Sequence, residues 1–195
     1  MKQDKIIHEL KKHIPFTIFA TLIAIGITLL IIYWIKKEIS QEFFHVLHPL
    51  HILASAIVTA GIFYKYKKSF IQAIFIGIFG SIIIGSISDI IFPYLGGLLF
   101  NLNIEFHLPI IEKTILILLT ALIGSILGIS FRITRFPHFI HVFLSVFASL
   151  FYLLAFSQTF EIIYFIGAFF VVFVSVIIPC CLSDILFPFL FLRKK

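Results

Sequence analysis

The chain has 195 residues, 61% of them hydrophobic and 12% charged, with a mean hydropathy of +1.17. An ordinary soluble domain carries about 25% charged residues, so nothing is left over to form one. The formal net charge of +6 does not point to nucleic acid, because the basic residues stand in short clusters between apolar runs and no glycine-rich phosphate loop or basic-aromatic patch accompanies them.

In chain order, residues 1–13 carry mixed charges, with His8 and His13, and read as an interfacial segment. An apolar run over 14–35 follows. It is too long for the core of a cleavable signal, and Tyr33-Trp34-Ile35-Lys36-Lys37 offers no small-residue cleavage site. Further runs lie at 43–64, 70–92, 114–131, 137–156 and 162–186. A run of about 18 apolar residues suffices to cross a hydrocarbon core of about 30 Å, so the expected fold class is an all-α polytopic membrane protein of six spans. Pro93 and Pro188 stand near the ends of spans 3 and 6, which are expected to be broken there. Gly124 and Gly128 form a GxxxG on span 4, a close-packing motif.

The sequence repeats itself. Ser88-Asp89-Ile90-Ile91-Phe92-Pro93-Tyr94-Leu95 returns as Ser183-Asp184-Ile185-Leu186-Phe187-Pro188-Phe189-Leu190. Upstream, His48, His51, Ser55 and Thr59 are echoed by His138, His141, Ser145 and Ser149. Residues 14–102 then form one repeat and 103–195 a second, together one membrane domain. Three spans per repeat is an odd number, so the second enters the membrane upside down, the inverted plan of many secondary transporters.

The positive-inside rule orients the chain. With the N-terminus inside, the cytoplasmic segments hold Lys2, Lys5, Lys11, Lys12, Lys65, Lys67, Lys68, Arg132, Arg135, Arg193, Lys194 and Lys195. The outer loops hold only Lys36, Lys37 and Lys113. Both termini are therefore expected in the cytoplasm, with the chain in the plasma (inner) membrane of its cell. Glu105, His107 and Glu112 then belong to an outer loop and read as solvated.

Chemistry concentrates in the repeated phrases. An acid at the centre of a membrane helix costs roughly 2.5–3.5 kcal/mol on insertion scales, so Asp89 and Asp184 need partners or a proton. Counting four residues back from each proline places an unbonded backbone carbonyl at the aspartate itself. Histidines three apart share a helix face, and imidazole is the commonest metal ligand. The expected metal-binding set is His48, His51, Asp89, His138, His141 and Asp184, with His45, Ser88, Ser183, Cys180 and Cys181 as further candidates. The structural alternatives are helix-capping aspartates, interhelical hydrogen bonding by the histidines, and cysteines that merely pack.

The leading functional expectation is a small secondary transporter or channel for a divalent transition metal (zinc, iron, manganese, nickel or cobalt), with proton coupling. Partners would be the bilayer, the cation, protons and, as a homodimer, a second copy of the chain; nucleic acid is not among them. Two other classes stand beside it: a membrane-embedded metal-dependent enzyme acting on a lipid or quinone, and a haem- or substrate-binding subunit of a larger complex. No dense histidine boxes of a di-iron oxygenase and no GxSxG nucleophile motif occur.

Overall fold

The computed structural model describes residues 3–131, 135–158, 163–181, 187, 190 and 191, with side chains described from Ile14 onward except at 135–139, Cys180 and Cys181. Among these residues the fold is all-helical. Helix α1 (Gln3–Leu29) ends in a π turn over Leu30–Trp34. Helix α2 spans Gln41–Tyr66. Helix α3 (Phe70–Ser86) widens into a π turn over Ile87–Ile91 and continues as α4 (Phe92–Leu99). The short α5 (Pro109–Glu112) leads into α6 (Thr114–Phe131). Helix α7 covers Arg135–Phe156, and α8 (Tyr164–Ser175) passes into a π turn over Val176–Cys181.

Four helical stretches are long and apolar enough to cross a membrane: Ile14–Trp34, Gln41–Tyr66, Phe70–Leu99 and Thr114–Phe131. Ile140–Phe156 and Tyr164–Pro179 are shorter apolar helices. The outward side chains suit lipid. Leu22, Phe75, Phe79, Leu118, Leu119, Ile166 and Phe170 are all exposed, the reverse of a soluble surface. Tyr33 and Trp34 stand exposed at the end of the first stretch, as in an interfacial aromatic belt.

The organising helix is α2. In its most apolar 18-residue window 67% of the residues are buried, against 28–33% in the other three long stretches. It packs on α3, α6 and α7, and so gathers its polar stripe into the bundle interior. Its contact with α6 is made by backbone. A Cβ added to Gly124 or Gly128 would collide with the carbonyl oxygens of Leu53 and Ile57 respectively, and only glycine permits that approach.

Span 3 is not broken at Pro93. The helix runs through, and the irregularity is taken up one turn earlier as the π turn, where the Phe92 N–H reaches back to the Ile87 carbonyl. Neighbouring helices and side chains re-satisfy the backbone that a proline disturbs, so a break is not required. The corresponding expectation at Pro188 lies outside the described residues.

The segment between α4 and α5 is pinned across the end of α7. Asn101 has φ 53° and ends α4 in the left-handed region that asparagine tolerates. Ile104 then pairs with Ser157 in an isolated antiparallel bridge, with Glu105 N–H on Phe156 O at 2.9 Å and Gln158 N–H on Asn103 O at 3.0 Å. Phe106 packs edge-on against Tyr94 at 5.0 Å between ring centroids.

Candidate functional site

The π turn sets the chemistry of the bundle centre, because it aims Asp89 at the buried face of α2. Three residues apart on that face, His48 and His51 both place Nδ1 on Asp89 Oδ2, at 2.8 and 2.6 Å. The other carboxylate oxygen, Oδ1, accepts from Ser88 Oγ at 2.8 Å and from Ser145 Oγ of α7 at 3.1 Å. Asp89, His51, Ser88 and Ser145 are completely buried, and His48 is 1% exposed. Four donors around one carboxylate supply the partners that a buried acid requires.

The tautomers follow from this arrangement. With the carboxylate ionised, each neutral imidazole donates its Nδ1–H and keeps Nε2 as its basic nitrogen. A ring so oriented by a carboxylate behind it is the usual form of a metal-ligating histidine. Asp89 therefore holds the rings, its own lone pairs being taken by four donors.

Both halves of the chain contribute. His141 of α7 stacks on His51 with ring centroids 4.9 Å apart and planes 18° from parallel. His48 stacks in turn on Phe44 at 5.3 Å. The histidine stripes of α2 and α7 meet at His51 and His141, because α7 packs directly on α2.

The π turn over Ile87–Ile91 stands directly before Pro93, and its Ser88 carbonyl faces α7. Ser149 Oγ of α7 donates to it at 3.0 Å. On α2, the hydroxyls of Ser55 and Thr59 are fully buried and have no hydrogen-bond partner among the described residues.

Of the other candidates, His138 lies on α7 and Cys180 and Cys181 close the last π turn, but their side chains are not among those described; Ser183 and Asp184 fall outside the described residues altogether.

The sequence assigned Glu105, His107 and Glu112 to a solvated loop; both glutamates are exposed, but His107 is mostly buried. His45 Nε2 lies 2.9 Å from His107 Nε2, and His107 Nδ1 lies 3.2 Å from Glu112 Oε1. Among the described residues, this is where three such ligand atoms lie within 4.8 Å of one another. The signal that could have found it is weak: a histidine two residues before Pro109 in the loop, and His45 one turn ahead of His48.

Compared with known proteins, the chain matches no family model, no curated protein and no solved structure.

Proposed function

We infer that the protein is a small secondary transporter of a divalent transition-metal cation, coupled to protons. The observation that carries this reading is Asp89: a completely buried carboxylate held by His48 and His51 from α2 and by Ser145 from α7. Its chemistry suits a metal that must be bound and released. Nε2 of His48 and His51 would be the ligand atoms, with Asp89 fixing their tautomers. His141, stacked on His51, brings the second half of the chain to the same place. Imidazoles bind metal only when deprotonated, so loading would release protons and unloading would take them up. The repeated His/Asp phrases support a mirror set at His138, His141 and Asp184, in six spans arranged as two inverted repeats. The basic-residue bias supports cytoplasmic termini in the plasma membrane. A homodimer is compatible with this scheme.

The test is flux in proteoliposomes, with zinc, manganese, iron, cobalt and nickel offered separately, with and without a pH gradient. The parent should move at least one of them and carry protons the other way. Asp89→Asn nearly preserves volume but cannot hold both rings by charge-assisted bonds, and it should abolish flux while the protein still inserts and purifies. Full activity in Asp89→Asn would overturn the mechanism; a parent that moves none of the five ions would overturn the transport reading.

A further inference from the structure

We propose that His45, His107 and Glu112 form a second divalent-metal site, separate from the buried cluster and placed at the start of the same α2 stripe. It rests on its own geometry and needs the transport reading only for its purpose. Glu112 Oε1 lies 3.2 Å from His107 Nδ1. A carboxylate there keeps the proton on Nδ1 and turns the Nε2 lone pair of His107 outward. That lone pair points at His45 Nε2, 2.9 Å away. Two imidazole nitrogens on a tetrahedral metal with bonds of about 2.0–2.1 Å stand about 3.3 Å apart, so these two rings need to part by only a few tenths of an ångström to admit an ion.

The surroundings fit a site built in advance. His45 Nδ1 is buried and has no hydrogen-bond partner among the described residues. The His107 ring stacks on Phe156 at 4.7 Å, and its backbone N–H donates to the Tyr152 hydroxyl at 3.0 Å. That hydroxyl donates onward to the Glu105 carbonyl at 3.3 Å. Both ring and backbone of His107 are therefore fixed from α7.

Two histidine ligands, with Glu112 behind one of them, leave coordination positions open, as exchangeable sites do and closed structural sites do not. The ligand class is a borderline divalent cation such as zinc or cobalt, since imidazole and carboxylate without thiolate do not favour a soft ion. One helical turn separates His45 from His48, so an ion released here would next meet the histidines held by Asp89.

Cobalt(II) titration of the purified full-length protein in detergent tests the site, because tetrahedral cobalt absorbs strongly in the visible and nitrogen ligands shift its bands. The parent should show these bands, and His107→Ala should lose one equivalent of cobalt. Glu112→Gln should weaken that equivalent by about ten- to a hundred-fold, the range for a group that orients a ligand. His48→Ala/His51→Ala should keep it. Should His107→Ala fail to purify, Glu112→Gln decides alone. Unchanged cobalt stoichiometry and affinity in both His107→Ala and Glu112→Gln would overturn the site. A protein that binds cobalt here yet carries no metal across a bilayer would overturn the transport reading and leave this site standing.

Discussion

Ser149 and Ser55 are both buried serines facing the bundle interior, yet they do different work. Ser149 donates its hydroxyl proton to the Ser88 carbonyl of the π turn, whereas the Ser55 hydroxyl has no partner among the described residues. Side-chain hydrogen bonds inside membrane proteins average about 0.6 kcal/mol and reach about 1.7 kcal/mol. Ser149→Ala should therefore lower stability toward the upper end of that range, since it also strands a buried carbonyl. Ser55→Ala should be neutral or slightly stabilising. Reversible unfolding in mixed detergent micelles measures both, and equal losses would show that the π turn does not depend on Ser149. At this scale the sequence was informative wherever polarity intruded on apolar runs: His48, His51 and Asp89 stood out for that reason. It was uninformative about the π turn before Pro93, because how a helix is wound beside a proline depends on the neighbours that pack on it. It also misread His107, whose position depends on a loop returning to α7, a contact between residues far apart in the chain.

Among elements, the contact of α2 with α6 is the tightest in kind, backbone against backbone at Gly124 and Gly128. Gly128→Leu should force the two helices apart and destabilise the fold by about 1–3 kcal/mol, the usual cost of overpacking, with larger values where backbone rather than side chains must give way. Gly26→Leu is the control, since a Cβ there meets nothing within 4 Å. If the two variants unfold at the same denaturant concentration, the close approach is not what holds α6. The element types and most of the spans were legible from apolar run length alone. The continuity of α3 through the π turn into α4 was not, because a proline says only that one hydrogen bond is lost and leaves open how the neighbours compensate.

For the molecule as a whole, the proposed topology makes a direct statement about sidedness. On a background with both native cysteines replaced, Tyr66→Cys should resist an impermeant thiol reagent in intact cells, and Glu38→Cys should react; the reverse pattern would invert the chain. Sidedness bears on the loop that carries His107. That loop is tied to the end of α7 by two backbone bonds and by Tyr152, while His45 stands on α2. An ion shared by the two rings would be a strut between α2 and α7, the same helices that together enclose Asp89. Occupancy at the rim and the freedom of the core to open would then be one mechanical variable. A cation leaving the rim would slacken the pair of helices ahead of it, and a cation that stayed would hold them shut.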